Sequence, residues 1–375
     1  MSTHGADLQL SPPTDTLSSV GEVEALKRIF PRLPAASGAL LGPGDDAAVV
    51  AAPDARFVVT TDMMIHGPDF RLAWSTPHDL GWKAAITNLA DVAAMGAVPS
   101  ALVVAIAAPL DTPVATLEGI ADGLRDACAA HAPGTGVVGG DLSVSNTLTL
   151  AVTAFGSLEG RKPVVRSGAA VGDTVAVAGE LGRAGAGIWL LFAEGTSVLP
   201  TRPDKTAPPA SEQLPEPQAQ PDAELGRKLR EQHPELVEAQ LAPTSPLDAG
   251  RRAGTAGATA MLDVSDGLIL DAGRIALASG VSIEFLHDAI EAEAESLRAL
   301  DPVVGAQARD FVLCGGEDHA MLATFSSGAA LPEGFRMIGV VTERTPGHPL
   351  VTVGGEAYVR PGGWDPFSDW NGATG

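Results

Sequence analysis

The hydrophobic positions of this chain repeat with two different periods in turn. Short apolar or β-branched runs bounded by Gly, Pro or Asp predict strands at Phe57–Thr60 (FVVT), Ala101–Ala107 (ALVVAIA), Thr147–Phe155 (TLTLAVTAF) and Val175–Ala178 (VAVA). Further strands are predicted at Met261–Val264, Ser282–Phe285, Met321–Phe325 and Met337–Val341. Helical spacing covers His78–Met95, which stops at Gly96, then Ala184–Glu194, and Leu268–Ser279, which stops at Gly280. Thr112-Pro113 reads as an N-cap and N1 pair, followed by Leu117, Ile120 and Leu124 on one face. Ser19 and Glu22 form an S-x-x-E capping box that opens a helix through Phe30, with Val23, Leu26 and Phe30 on its apolar side. Asp222–Leu241 reads as a charged surface helix and Gly136–Gly140 as a tight connection.

This alternation predicts an α/β (α+β) protein of two domains. Residues 1–17 read as a disordered tail, 18–160 as an N-terminal domain and 161–375 as a C-terminal domain. From about residue 200 to 221 the chain is rich in proline and poor in large apolar residues, which predicts a disordered insert or mobile loop.

Composition narrows the function classes. The 375 residues include 46 acidic and 24 basic side chains, a formal net charge of −22. That balance speaks against a nucleic-acid or anionic-membrane partner, since both need lysine and arginine. The two cysteines, Cys128 and Cys314, form no C-x-x-C pair, so neither a zinc site nor a disulfide framework is expected. No apolar run reaches the roughly 20 residues that span a bilayer. Met1–Leu17 lacks a signal pattern, and a cytoplasmic location is expected.

The candidate chemistry lies in aspartates placed where apolar elements end. They occur in Gly42-Pro43-Gly44-Asp45-Asp46, Val58-Val59-Thr60-Thr61-Asp62, Asn88-Leu89-Ala90-Asp91, Val137-Val138-Gly139-Gly140-Asp141 and Asp263-Val264-Ser265-Asp266-Gly267. Each alone is served equally well by an N-cap or turn role. Together they put several carboxylates in apolar settings, where an unpaired charge is costly. Magnesium prefers such hard oxygen ligands and turns them from repulsors of phosphate into anchors for it. Glycines beside the aspartates let main-chain N–H groups approach phosphate oxygens. A G-x-x-x-x-G-K-S/T loop, an H-R-D or D-F-G motif, a G-x-S-x-G elbow and H-E-x-x-H are all missing, which excludes the familiar solutions they mark.

The ordered series GPGDDAAVV, VVTTDMM, GWKAAITNLADVAAMGA, VVGGD, LDVSDGLILD, LCGGEDH and GWDPF resembles the thiamine-monophosphate kinase family. That family belongs to the superfamily of aminoimidazole ribonucleotide synthetase and selenophosphate synthetase. The resemblance spans roughly residues 20–370, except the proline-rich insert. It implies an N-terminal α/β domain that binds ATP and magnesium and pairs with its twin in a homodimer, followed by a second α/β domain. The implied reaction is magnesium-dependent, in-line transfer from ATP to thiamine monophosphate, the last step to thiamine diphosphate. Carried over by motif position, Asp46, Thr60, Thr61, Asp62, Asp91, Asp141, Asp263 and Asp266 would surround several magnesium ions. Gly140, Asp141, Arg166 and Ser265 would contact ATP, and Asp69, Glu317 and Trp364 would face the thiamine moiety.

No general base is expected, because the acceptor is a phosphate oxygen already anionic at neutral pH. Lys83, on the helix that carries Asp91, is read as a partner for some carboxylate and left outside the site. The chain departs from the family at Asp69, where histidine is frequent, and at His319, where an aromatic residue usually follows G-G-E-D. Its Leu241-Ala242-Pro243-Thr244-Ser245-Pro246 also lacks the family's arginine. Two alternatives stay open: another ATP-dependent enzyme of the superfamily, such as an aminoimidazole ribonucleotide synthetase, or a non-catalytic nucleotide-binding regulator.

Overall fold

A computed structural model describes residues 10–12, 14–43, 47–198 and 219–358. Among them, after a single turn at Leu17–Val20, comes helix α1 (Glu22–Ile29). The first sheet is built from β1 (Val58–Ile65), β2 (Val98–Ala108), β3 (Gly136–Val144) and β4 (Thr149–Ser157), in the order β1-β4-β2-β3. β2 and β3 are parallel and the other pairs antiparallel. The parallel pair needs a crossover, and α3 (Val114–His131) supplies it. α2 (Pro77–Ala94) lies against α3. A Cβ added to Gly81 would sit 1.9 Å from the Ile120 carbonyl oxygen, and one added to Gly123 would sit 2.0 Å from that of His78. The glycines therefore set how closely the two helices approach.

The second sheet has seven strands. They are β5 (Thr174–Ala178), β6 (Ala260–Asp263), β7 (Ser282–Phe285), β8 (Met321–Phe325), β9 (Arg336–Thr342), β10 (Val351–Val353) and β11 (Glu356–Ala357), in the order β6-β8-β5-β9-β7-β10-β11. Strand alternation splits its side chains between two cores. Val175, Val177, Leu262 and Leu322 join a core proper to the second domain. Ala176, Ala178, Met261, Met321, Ala323 and Phe325 join the core that holds α2 and the first sheet. The two domains thus share a core, and α2 runs through it. The connecting region holds α4 (Arg183–Glu194), α5 (Ala223–Gln232), α6 (Pro234–Leu241), α7 (Leu247–Thr255) and α8 (Leu268–Ser279).

Most predicted elements appear within a few residues of their expected bounds, and Leu268–Ser279, Ser282–Phe285 and Met321–Phe325 keep theirs. Four differ. Gly136–Gly140 is no tight connection but the first half of β3. A Cβ on Gly140 would lie 1.9 Å from the Val104 carbonyl oxygen, so glycine serves strand pairing there rather than a turn. Asp222–Leu241 is two helices, because Pro234 cannot continue the first. The second of these is no surface helix: Leu236, Val237, Gln240 and Leu241 are buried. At the N-terminus the capping box belongs to Thr16 and Ser19, and α1 starts after Gly21. Its buried residues are Ala25 and Ile29, whereas Val23 and Phe30 are exposed.

The tail expected to be disordered through Leu17 is held at its described end. Ser11 donates to Glu118 on α3, and Asp15 pairs with Arg28 at 2.8 Å. The proline-rich insert lies mostly outside the described residues; its last three, Ala219–Pro221, pair with Thr196–Val198. The face of the first sheet away from α2 and α3 leaves Val59 and Met63 each 58% exposed. No helix of the described residues is long and apolar enough to cross a membrane.

Candidate active site

Three segments converge on a cavity of about 500 Å³ between the sheets. The first is α2, opened by Thr76, whose hydroxyl accepts from the Asp79 N–H while Asp79 accepts from the Thr76 N–H. Arg230 of α5 clamps Asp79 through two bonds of 2.8 and 3.0 Å and so fixes the helix start. Lys83, Thr87 and Asp91 then follow at steps of four residues, which sets them on one stripe facing the cavity.

The second segment is β1. Alternation turns Thr60 and Asp62 toward α2. The Thr60 hydroxyl donates to Asp91 Oδ2 at 2.9 Å, and the Asp62 N–H donates to Asn88 Oδ1 at 3.1 Å. Thr61 faces the other way: its hydroxyl donates to the Val152 carbonyl oxygen on the neighbouring strand and accepts from Thr153. Just past β1, Asp69 accepts from the Ile65 N–H at 2.6 Å and lines the cavity.

The third segment is a pair of interlocked loops. Residues 263–267 and 315–320 bind each other through Glu317 N–H to the Ser265 carbonyl oxygen (2.8 Å) and His319 N–H to that of Val264 (3.0 Å). These bonds hold Glu317 and His319 at φ 64° and 50°, a region non-glycine residues seldom occupy. Between them, Asp318 accepts from the Gly182 and Ala184 N–H groups at the start of α4. The strained turn aims Glu317 into the cavity and sets His319 Nδ1 3.0 Å from Asp263 Oδ2.

The charges explain one another. Burial pushes the Asp62 carboxyl above its ordinary value, and Asp263 adds to the push. Asp91 reaches about 7, through burial first and then through Asp263 and Asp62. Burial opposes a charged His319, but the bond to Asp263 together with the negative charges of Asp263 and Glu317 outweighs it and raises the imidazole. Burial would also raise Glu317; Lys83, 3.0 Å away, together with the Gln240 amide and His319 outweighs that and holds it below the usual carboxylate range. Asp266 is paired with Arg274.

Four carboxylates, Asp62, Asp91, Asp263 and Asp266, therefore line one cavity together with Ser265, Asp69 and Glu317. Among the described residues, no three His, Cys, Asp or Glu side chains already close around a single point. Even so, carboxylate oxygens that weaken one another's acidity, with a threonine hydroxyl alongside, are the donor set a hard divalent cation takes. The far end of the cavity is aromatic. The Trp74 and Phe192 rings meet edge to face at 5.1 Å, and the Arg71 guanidinium lies 5.5 Å from the Phe192 centroid.

Not every expected residue comes to this place. Gly140 and Asp141 sit on β3, at the opposite edge of the four-stranded sheet from Asp62, three strand spacings or about 14 Å away. They line a second, mainly apolar cavity of about 710 Å³, with Leu26, Phe30, Ile120 and Leu124. Arg166 is exposed and lines neither cavity; its carbonyl oxygen accepts from Ser279. Asp46 and Trp364 lie outside the described residues.

Sequence reasoning missed Gln240, Arg274 and the Trp74–Phe192 wall, and it left Lys83 outside the site although the pairing with a carboxylate expected for it is there, with Glu317. Only Lys83 carried a usable local signal, its four-residue step to Thr87 and eight to Asp91. The others meet the site through tertiary contacts between distant segments.

The model of the AIR synthase related protein N-terminal domain matches residues 44–158. The thiamine-monophosphate kinase of Mycobacterium tuberculosis is 39% identical over 363 residues, covering 97% of this chain and 96% of its own. A solved thiamine-monophosphate kinase from Stenotrophomonas maltophilia superposes with a TM-score of 0.66 at 30% identity, covering 89% of this chain and 97% of its own. AaThiL complexed with AMPPCP and TMP superposes with a TM-score of 0.64 at 30% identity, over 85% of this chain and 90% of its own.

Proposed function

The chain belongs to the thiamine-monophosphate kinase family, and from that premise we propose that it transfers a phosphoryl group from ATP to thiamine monophosphate, giving thiamine diphosphate and ADP. The observation that carries this reading is one cavity with two chemically different ends. One end gathers Asp62, Asp91, Asp263 and Asp266; the other offers Asp69, Glu317 and aromatic rings. A phosphate ester of a cationic aminopyrimidine–thiazolium matches both ends. Phosphate belongs at the acidic end once metal is bound, and the heteroaromatic rings belong at the other.

Magnesium, when bound, neutralises the phosphate oxygens and lets them share a site with carboxylates. Asp62, Asp91, Asp263 and Asp266 would hold it, with the Thr60 hydroxyl beside Asp91. The chain's own residues do the positioning. His319 orients Asp263, Thr60 orients Asp91, Arg274 orients Asp266, and Lys83 keeps Glu317 ionised. The acceptor oxygen is already anionic, so no residue has to remove a proton; catalysis is orientation and charge neutralisation for in-line transfer. Thr61, whose hydroxyl points to the opposite face, would contribute through its main chain alone.

The separation of Asp141 from Asp62 bears on assembly. Two copies stacked through the open sheet face, with the twofold axis along the strands, would put the β3 edge of one protomer beside the β1 edge of its partner. In such a homodimer Gly140 and Asp141 serve the partner's acidic cluster. The apolar cavity beside them would take the base of ATP. The exposed Val59 and Met63 support this pairing, since apolar side chains on an uncovered sheet face favour burial.

Purified protein with ATP, magnesium and thiamine monophosphate should yield ADP and thiamine diphosphate in equal amounts. Absence of the diphosphate, or ADP formation only with formylglycinamidine ribonucleotide, would sink the reading.

A further inference from the structure

Gln240 lies in the last turn of α6 beside the cavity and is only 3% exposed. Its Nε2 donates to Glu317 Oε2, and its main-chain carbonyl oxygen accepts from Lys83 Nζ at 3.1 Å. Its side-chain carbonyl oxygen, Oε1, is buried without a hydrogen-bond partner among the described residues. The amide cannot turn over to relieve this. Glu317 beside Lys83 is a carboxylate and only accepts, so the amide must present its N–H₂ there. Buried polar atoms are nearly always paired, and an amide oxygen left without a donor is costly. Gln240 lines the cavity, and this oxygen is left there without a donor among the described residues.

Its neighbours define that donor. Lys83 and Gln240 use only part of the accepting capacity of Glu317, because a carboxylate has about four lone-pair positions. Gln240 Oε1 and Glu317 thus offer two acceptors side by side next to an aromatic wall. A primary amino group on an aromatic ring supplies two N–H bonds from one nitrogen and fits that pair. An exocyclic oxygen in its place would face two acceptors and be repelled.

We propose that Gln240 is a specificity-determining residue whose side-chain oxygen, together with Glu317, receives the exocyclic amino group of the acceptor's heteroaromatic ring. This rests on the reading of the cavity as the thiamine monophosphate site. Lys83 acts behind it as a positioning residue, tying the Gln240 main chain and the Glu317 side chain to α2.

The test compares thiamine monophosphate with oxythiamine monophosphate, whose amino group is replaced by oxygen. Wild-type protein should prefer the amino substrate in kcat/KM by about 100-fold or more, as sites built around one polar group do. Gln240→Met, close in size but without acceptor or donor, should cut that preference about tenfold. KM for ATP should stay within about twofold, which a merely structural defect would not ensure. Gln240→Asn, which keeps the amide but withdraws it, should also lose preference and serves if the methionine variant does not fold. An unchanged preference in a folded variant, or equal use of both substrates by wild type, overturns the proposal while the kinase reading stands. If wild type phosphorylates neither substrate, the kinase reading fails and takes this proposal with it.

Discussion

Replacing Lys83 by methionine tests the charge logic of the cavity most directly. The lysine side chain is 7% exposed and its partner Glu317 38% exposed, at 3.0 Å. Methionine keeps most of the apolar stem and removes the charge. Breaking a fully buried pair from one side costs about 3–5 kcal/mol, and an exposed pair contributes about 0–1 kcal/mol. With one partner buried and the other half-buried, a loss of about 2 kcal/mol is expected. For a domain of this size that is a fall in Tm of about 4–8 °C. The sign with pH follows from Glu317, held below the usual carboxylate range in the native protein. Its contribution is present above the ordinary carboxylate pKa and is lost as pH falls through the native value. Without Lys83, burial drives the same carboxyl upward, and protonation relieves the strain. The deficit of Lys83→Met should therefore be largest near pH 7 and shrink toward pH 4. Thermal unfolding of both proteins across that range, followed by circular dichroism, measures it. A deficit under about 0.5 kcal/mol at pH 7, or one that does not change with pH, would refute the reasoning. KM for thiamine monophosphate should also rise about tenfold with KM for ATP little changed, because Glu317 loses its orientation.

Two further outcomes follow from the acidic cluster. Asp91, pushed to about 7 by burial, Asp263 and Asp62, costs the metal-free protein stability as pH rises from the ordinary carboxylate range. Asp91→Asn should thus raise the melting temperature of metal-free protein at pH 8, by about 1–3 kcal/mol of stability, while abolishing turnover and blunting stabilisation by magnesium. A lower melting temperature, or full stabilisation by magnesium, would remove Asp91 from the metal set. Asp62→Asn and Asp141→Asn should each be folded and inactive. If Asp141 serves the partner's site, mixing the two variants under conditions of subunit exchange should restore about a quarter of wild-type activity, because half the dimers then carry one intact site of two. No recovery in a verified mixture would place both aspartates in the same protomer's site.

Much of the fold was legible because its signal is local. The runs ALVVAIA and TLTLAVTAF and the caps at Gly96 and Gly280 locate strands and helix ends from a few neighbouring residues. The errors arose where a local signal had a distant cause. The glycines of VVGGD look like a turn until Val104 of the adjacent strand is seen to leave no room for a Cβ at Gly140. Helix α6 looks like surface until α4 and the cavity wall cover it.

The acidic cluster followed the same rule. Aspartates at the ends of apolar elements could be picked out individually, and four of them do line one cavity. What decides their behaviour could not be picked out, because each is governed by a residue far along the chain. Asp91 answers to Thr60, 31 residues away, Asp263 to His319, 56 away, and Glu317 to Lys83, 234 away. The departure at His319 gains a reason from this. An aromatic ring at that position could pack but could not bond Asp263, whereas the imidazole fixes the carboxylate's direction through Nδ1 and leaves Nε2 within 3.3 Å of Thr87 on α2. One side chain thereby ties the second domain's aspartate to the helix that carries Asp91. The cluster's geometry consequently depends on the interlocked loops as much as on the aspartates, and a change confined to residues 315–320 should disturb metal binding without touching a metal ligand.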